Sequence, residues 1–372
     1  MYSQTIITAP IALFLGAGAS RPFGKMLMGE FIDHLKNLHE FKNDALFNDI
    51  ASAPGGRDLE YLFEELDEWS RKGYHPVLEA VLIGGQGGMP PTLAHAPGLP
   101  EKASKMLADL RKQVFNEYRD IDPGQAKDLV QRFDALLGAA FKGVDPGKNP
   151  IVIFTTNYDP AVETFCTDPG KHGEYRLCDG FVPQPNSGSP VWRRESIDQL
   201  QLGATGQKDL VLFKLHGSTT WFRTAAGIIK SDAPIYTGDD LAVQNMLIYP
   251  AKRKIALDDP YFTAYDYLQR TLENCKLCVV IGYSFRDYDA LSRLRSAASY
   301  NSSLTLLVVD PQANALCKEL GRRGVTAEPI PTQFGSALSE RDYLAAIEKA
   351  QTAAYAQRQT FSRSAPTSAA SR

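Results

Sequence analysis

Five short apolar runs constrain the fold of this 372-residue chain more than any other feature. Each run is continuous rather than alternating, as expected for strands that are covered on both faces of a parallel sheet. The runs are residues 11–15, 151–154, 210–215, 277–281 and 304–309. They predict an α/β fold, with a Rossmann-like parallel sheet flanked by helices.

The segments between the runs predict the domain organisation. We expect a Rossmann-like domain from residues 1–27 plus 146–350, an inserted helical subdomain at 28–145 and a flexible tail at 351–372. A Gly- and Pro-rich loop at 84–100 interrupts the helical block, and residues 168–209 predict surface loops with a short hairpin. A further hairpin and a helix near residues 261–273 are expected in the segment 219–274.

Composition excludes several classes of protein. The formal net charge is -3, which does not favour direct, sequence-specific binding of nucleic acid. No apolar segment reaches the roughly 18 residues that would span a bilayer, so we expect no membrane partner. The five cysteines are odd in number and widely spaced, which predicts no disulfide framework and fits a reducing cytoplasm.

One pair of cysteines, Cys275 and Cys278, forms a C-x-x-C next to an apolar run. The pattern favours thiols in or beside a buried strand over a metal or redox site, because no second C-x-x-C could complete a zinc site. We therefore expect no bound metal and no zinc ribbon.

Each apolar run ends in a polar or glycine-bearing turn, and ligands of open α/β sheets bind beyond the carboxyl ends of the strands. In the first turn, FLGAGAS, Gly16 and Gly18 permit close approach of a phosphate, and a following helix start would offer N–H groups. Arg21 stands where the full dinucleotide fingerprint has a third glycine, so a structural turn without a ligand is the alternative.

Three further turns carry candidate chemical groups. In TTNYD, Asn157 can orient a water molecule or a ribose hydroxyl, whereas an Asx turn with Asp159 as helix cap is the alternative. In KLHGS, His216 can accept a proton near neutral pH, although a lone histidine is more often structural. In GYSFRDYD, Gly282 and Ser284 can approach a diphosphate or a ribose.

Asp310 ends the last apolar run, in the motif VVDP. Its carboxylate could accept hydrogen bonds from the hydroxyls of an adenosine ribose. A strand-terminating turn before Pro311 is the alternative interpretation.

Together these motifs resemble the sirtuin superfamily. GAGAS is similar to the sirtuin GAG-x-S loop, TTNYD to T-Q-N-x-D, KLHGS to the H-G-S histidine motif, and GYSF to the later G-[TY]-S loop, in the same order. VVDP stands in the place of the final ribose-binding strand end.

The resemblance implies a role for particular residues. Gly16, Ala17, Gly18 and Ser20 would line the phosphates of NAD, Asn157 and Asp159 would lie near the nicotinamide ribose, and His216 would be the essential base. Thr156 replaces the usual glutamine and is expected at the cofactor. The deacylase loop G-I-P-D-F-R is replaced by RPFGK, in which only the aromatic Phe23 resembles that loop, so Phe23 is also expected at the cofactor.

The departures from the deacylase pattern, above all the lack of a zinc ribbon after His216, make the chain resemble the bacterial anti-phage branch of the superfamily. Members of that branch hydrolyse NAD to ADP-ribose and nicotinamide. The resemblance implies a cytoplasmic bacterial effector of antiviral defence that acts as a homo-oligomer or with a partner such as a HerA-type ATPase. Because unregulated NAD loss is toxic, a switch is expected, with the 84–100 loop and the helical block as candidates.

The expected chemistry is cleavage of the glycosidic bond through an oxocarbenium-like transition state. Asn157 would orient the ribose or the water, His216 would accept a proton, and Asp159 would support the loop or favour the developing cation. Two alternatives stay open: an NAD-dependent protein deacylase, and a non-catalytic module that binds NAD or ADP-ribose as a scaffold.

Overall fold

Two β-sheets and the helices around them form the fold. The computed structural model describes residues 9–53, 58–71, 98–145, 147–185, 187–238, 242–249, 258–335, 341, 344–350 and 352. The strands are β1 Ile11–Leu15, β2 Ile151–Thr155, β3 Tyr175–Cys178, β4 Phe181–Gln184, β5 Ser187–Trp192, β6 Lys208–Lys214, β7 Gly217–Thr224, β8 Gly227–Lys230, β9 Gln244–Leu247, β10 Leu277–Ile281, β11 Thr305–Val309 and β12 Ala327–Ile330. The helices are α1 Ala17–Ser20, α2 Met28–Leu35, α3 His39–Lys42, α4 Ala45–Ser52, α5 Leu59–Arg71, α6 Leu99–Tyr118, α7 Pro123–Phe141, α8 Ala161–Thr167, α9 Glu195–Asp198, α10 Tyr261–Asn274, α11 Tyr288–Tyr300 and α12 Ala313–Arg322.

The larger sheet has seven strands in the order β12-β11-β10-β1-β2-β6-β3. Every neighbouring pair is parallel; Leu13 of β1, for example, pairs with Val279 on one side and Ile153 on the other. All five apolar runs form strands of this sheet, and β1, β2 and β10 are buried along their whole length. The predicted α/β class with a Rossmann-like parallel sheet is confirmed.

The two edge strands, β3 and β12, were not predicted. Both are short, and most of their residues are only partly buried or exposed. The second of them contains Pro329, which a central strand would not tolerate because proline lacks the N–H donor. An edge strand needs neither a long apolar run nor a complete set of donors, so its sequence signal is weak.

The smaller sheet is antiparallel, with five strands in the order β4-β5-β8-β7-β9. It occupies the segment in which the sequence predicts only surface loops and hairpins, so that expectation was incomplete. A small apolar cluster of Trp221, Met246 and Tyr261 supports the sheet. Strand β7 begins at Gly217, and the antiparallel sheet therefore starts one residue after His216.

The helices after α1 divide between two cores. Helices α2 to α6 supply the apolar side chains of one cluster, with Tyr158 at its edge. Helix α7 instead packs on the parallel sheet, where Leu129, Phe133 and Leu137 join the apolar side chains of β1, β2 and β10. The boundaries of the inserted subdomain, 28 and 145, stay a prediction.

Some sequence predictions fall outside the described residues. Residues 72–97 include most of the predicted 84–100 loop, and the described chain resumes before α6, which begins at Leu99. The predicted tail at 351–372 also lies outside them, except for residue 352. Among the helices that are described, none has the length and the apolar character to cross a bilayer.

The C-x-x-C thiols lie at the start of β10. Cys275 and Cys278 are both fully buried, and both are free thiols. Burial raises the pKa of Cys278 well above its usual range. The interpretation as thiols in a buried strand is confirmed, and these groups face the core below the sheet's carboxyl edge rather than a ligand.

Candidate functional site

A cavity of about 490 Å³ opens at the carboxyl edge of the parallel sheet. Residues that follow all five predicted strands line it, which is the arrangement expected of a ligand site in an open α/β sheet. They are Ala17, Gly18 and Ser20 after β1, Thr156, Asn157 and Asp159 after β2, His216 after β6, Gly282 and Ser284 after β10, and Asp310 after β11.

Glycines bring the turns after β1 and β10 into direct contact. The Gly18 N–H donates to Gly282 O at 2.9 Å, and Gly282 has a φ of +61°. A Cβ on Gly16 would lie 2.5 Å from Gly282 O, and one on Gly18 would lie 2.7 Å from the Gly282 Cα. The sequence predicts these glycines at an approaching phosphate, and their packing against the second turn requires glycine independently of any ligand.

The side chain of Asn157 is fixed in orientation by the turn after β1. Its Nδ2 donates to Gly16 O and to Ser20 Oγ, each at 2.9 Å. A carbonyl oxygen can only accept, so the amide nitrogen must face Gly16 and the amide oxygen faces away from it. Gly16 itself does not line the cavity among the described residues, but it holds Asn157 there.

Asp159 is buried beneath the cavity wall, with 4% of its surface exposed. Its Oδ1 accepts the Ala161 N–H at 3.1 Å, which forms an Asx-type turn directly before α8. Burial raises the pKa of Asp159, although the Lys214 charge and a hydrogen bond from Ser20 oppose the rise. A buried carboxyl with a raised pKa beside a cavity is typical of functional sites.

His216 also lines the cavity, and its imidazole contacts a carboxylate. Its Nε2 is 2.5 Å from Asp287 Oδ2, and both side chains are at least nine-tenths buried. Asp287 also lines the cavity. This aspartate lies inside the motif GYSFRDYD, yet sequence reasoning gave it no role. The available signal was an aspartate directly before a helical segment, which is the pattern of a helix cap.

Phe23 is the one expected ligand contact besides Gly16 that the structure does not bring to the cavity. Its ring is 1% exposed and packs on Phe133 and Phe334 in the core under the parallel sheet. An aromatic ring after a short turn gains more from burial than from contact with a polar ligand. A contact between Phe23 and a cofactor therefore stays a prediction, because the described cavity lining does not include this ring.

Two ion pairs lie at the rim of the cavity. Arg21 binds Glu30, and Arg286 contacts Asp58 with its Nη1 at 3.5 Å from Oδ2. Arg21, Asp58 and Arg286 all line the cavity. The second pair joins the turn after β10 to the residue before α5, so the helical block closes one side of the site.

The end of the cavity beside β11 is more apolar. Val309, Pro311, Leu316 and Phe334 line it, together with Asp310. Burial raises the pKa of Asp310, and a hydrogen bond from the Gln312 N–H opposes that rise. This part of the lining therefore combines apolar side chains with the polar side chains of Asp310, Gln312 and Gln333. Among the residues described, no cluster of three or more His, Cys, Asp and Glu side chains could hold a metal ion.

Comparisons with known proteins identify one family that matches part of the chain. Residues 151–325 match the SIR2-like domain family. Comparison with curated protein sequences gives no match. A solved structure of a Sir2 homologue in complex with NAD is 13% identical with a TM-score of 0.43, over 94% of this chain and 93% of that chain.

A mutant Sir2 homologue in complex with ADP ribose is 14% identical with a TM-score of 0.41, over 96% of each chain. The family match covers the strands that carry Asn157, His216 and Asp287. Residues 151–325 of this chain are therefore similar to the SIR2-like domain family.

Proposed function

We propose that the protein binds NAD⁺ in this cavity and hydrolyses the bond between nicotinamide and ribose. One observation carries the proposal: the amide of Asn157 and the imidazole of His216 line the same cavity at the carboxyl edge of the sheet. The products would be ADP-ribose, nicotinamide and one proton.

The cavity has the size and lining of a cofactor site. Its volume of about 490 Å³ lies within the range of roughly 300–1,000 Å³ that is common for small-molecule pockets. The apolar end beside Leu316 suits a flat base, and Asp310 can accept a hydrogen bond from a ribose hydroxyl. Ala17, Gly18 and Ser20 border the middle of the cavity, where the diphosphate would lie.

The chemical step follows from the leaving group. Nicotinamide leaves with the electron pair of the C–N bond, which neutralises its ring and builds positive charge on the ribose. Water then forms the new C–O bond, and its proton passes to His216 as general base. Asn157 orients the ribose or this water, because its amide is held rigidly by Gly16 and Ser20.

Asp159 contributes from behind the cavity wall. Its hydrogen bond to the Ala161 N–H holds the turn that presents Asn157. Deprotonated, it would also favour the cationic ribose through its charge. We therefore propose a supporting role for Asp159 and keep Asn157 and His216 as the groups that contact the reacting sugar.

The biological setting is a further part of the proposal. We propose a cytoplasmic bacterial effector that depletes NAD during phage infection, either as a homo-oligomer or with a partner such as a HerA-type ATPase. The helical block at 28–145 would then be the inserted subdomain, and its contact with the site through Asp58 offers a route for control.

Incubation of the purified chain with NAD⁺, with and without lysate from phage-infected cells, tests the proposal. Mass spectrometry should detect ADP-ribose and nicotinamide in equal amounts. Formation of O-acyl-ADP-ribose from an acylated peptide would instead support a deacylase, and tight binding without any product would support a scaffold.

A further inference from the structure

His216 and Asp287 both line the cavity and contact each other through their side chains. The sequence motifs assign no role to Asp287. His216 is 6% exposed and Asp287 is 8% exposed, and the separation of Nε2 and Oδ2 is 2.5 Å. A short hydrogen bond to a charged partner in a buried site is much stronger than one in water. The two side chains therefore act as one unit.

The second oxygen of Asp287 holds the carboxylate in place. Its Oδ1 accepts the backbone N–H groups of Asp289 at 3.0 Å and Ala290 at 3.2 Å, which caps the first turn of the 13-residue helix α11. The N-terminus of a helix stabilises negative charge. Asp287 thus stays an acceptor on both oxygens, and the imidazole must donate from Nε2.

We propose that Asp287 is a positioning residue that sets the tautomer of His216; this inference rests on the proposed hydrolysis of NAD⁺. With its proton on Nε2, the neutral ring carries its lone pair on Nδ1, which is the atom that accepts the proton of the attacking water. Asp287 then stabilises the imidazolium and remains deprotonated throughout.

Other titratable groups surround this pair. Tyr158 from the turn after β2, Tyr265 from α10 and Tyr283 from the turn after β10 all interact electrostatically with Asp287. Burial raises the pKa of each of these three hydroxyls, so they stay neutral across the pH range in which a histidine titrates.

The remaining charged neighbours are Asp289 on α11, Glu60 on α5, and Arg286 in the same turn as Asp287. None of the three is an imidazole, which is the side chain that ordinarily changes its charge near neutral pH. The pH dependence of the rate near neutrality is therefore assigned to His216 under the influence of Asp287.

The test compares Asp287→Asn with the matched variant Asp289→Asn, which removes the same charge two residues later. For Asp287→Asn we expect kcat to fall by about 10²–10⁴-fold with little change in KM. The acidic limb of the kcat–pH profile should move to lower pH, because loss of the carboxylate lowers the pKa of the imidazole. Asp289→Asn should leave both quantities near their wild-type values.

Two further measurements separate this role from a structural one. Asp287→Ser keeps a cap for α11 and should show the same loss of kcat. ¹⁵N NMR of His216 in the full, ligand-free chain should show the proton on Nε2 in the wild type and on Nδ1 in Asp287→Asn. An unchanged tautomer and an unchanged pH profile in Asp287→Asn would overturn the inference. Absence of nicotinamide release from the wild type would contradict the proposed hydrolysis, while the NMR result would still decide the tautomer.

Discussion

At the scale of single residues, the site depends on side chains that the backbone holds in one orientation. Asn157 is tied to the turn after β1 by two hydrogen bonds, and His216 is tied to Asp287 by one. Neither group has to be ordered when a ligand binds, so less binding energy is spent on immobilising side chains. Pre-organisation of this kind is what a site for glycosidic chemistry needs.

Asn157→Ala tests the orienting role. We expect turnover of NAD⁺ to be lost while the fold is retained, because the deletion removes two hydrogen bonds and creates no buried charge. The chain should lose about 1–3 kcal/mol of stability at most, the usual cost of leaving buried partners without a donor. Circular dichroism and product analysis measure the two effects. A variant that unfolds would show that Asn157 is structural.

Asp159→Asn tests the raised pKa of the buried carboxyl. Folding raises the pKa of this carboxyl. The free energy of unfolding of the protein therefore falls as pH rises from the pKa of the unfolded state to the pKa of the folded state. The neutral amide avoids that loss, so we expect Asp159→Asn to melt at a higher temperature than the wild type near neutral pH. Below the unfolded pKa the difference should disappear. A variant that is less stable at neutral pH would show that the Asp159 charge is compensated.

The sequence identified ten of the residues that line the cavity but gave no role to Asp287. Gly18, Asn157, His216 and Asp310 stand directly after strands, so the rule for open sheets finds them. Asp287 lies five residues beyond Gly282, and the fold alone brings it to His216. Pairing across 71 positions of sequence leaves no local signal.

At the scale of elements, the turns after β1 and β10 form one packed unit. Their backbones approach so closely that three glycines have no room for a Cβ. This contact couples the strand end that presents Ser20 to the strand end that presents Ser284. The geometry of the cavity floor is therefore set by backbone packing as much as by side chains.

Gly282→Ala should disrupt that unit. Its φ of +61° is unfavourable for alanine, and the new Cβ would lie 2.4 Å from the Gly18 Cα. The backbone conformation alone costs about 1–2 kcal/mol, and the displaced turn should also weaken ADP-ribose binding. Calorimetry measures both effects.

Gly138→Ala in α7 is the matched control. A Cβ at this position meets nothing within 4 Å. At an exposed position in a helix, alanine is more favourable than glycine by about 0.8–1.0 kcal/mol. The control should thus be more stable than the wild type and should bind ADP-ribose normally. Equal behaviour of the two variants would show that the contact between the turns is unimportant.

The strands of the two sheets differ in how accurately the sequence predicted their bounds. β1 and β10 were predicted to the residue because they are short apolar runs buried on both faces. The antiparallel sheet was predicted only as hairpins, because most of its strands are short and only partly buried. Gly188 and Pro190 also lie within β5, and both residues are disfavoured in strands. Its stability comes from pairing with distant strands, which local patterns do not encode.

At the scale of the whole molecule, a buried ionic network lies between the site and the antiparallel sheet. Lys214 donates to the backbone oxygen of Asp159 at 2.6 Å and to Glu163 at 3.3 Å. Lys230 on β8 pairs with Asp179 at 2.6 Å. Lys214 and Glu163 are almost fully removed from water, whereas Lys230 keeps 16% of its side chain exposed. The charge of Lys230 also acts on Glu163, which links the antiparallel sheet to the first pair.

Glu163→Gln tests this network. Burial alone would raise the pKa of Glu163, but the charges of Lys214 and Lys230 outweigh burial and hold the pKa below its usual range. A lowered pKa contributes stability above the unfolded pKa, and that stability is lost as pH falls through the folded pKa. We expect Glu163→Gln to lose about 3–5 kcal/mol near neutral pH and less in acid, as measured by urea unfolding.

Glu319→Gln is the control for that experiment. Glu319 pairs with Arg322 and Arg323 on the exposed face of α12, where solvent screens the charges. The free energy of unfolding of the Glu319→Gln variant should stay near that of the wild type at every pH. A loss of similar size in both variants would contradict a special role for the buried pair.

The most direct test of the account is nicotinamide release from NAD⁺ by the wild type and by His216→Ala, with and without lysate from infected cells. We predict release by the wild type and a rate that is about 10²–10⁴-fold lower for the variant, while both proteins still bind ADP-ribose. A variant that turns over at the wild-type rate, or a wild type that binds NAD⁺ and never releases nicotinamide, would contradict the central claim.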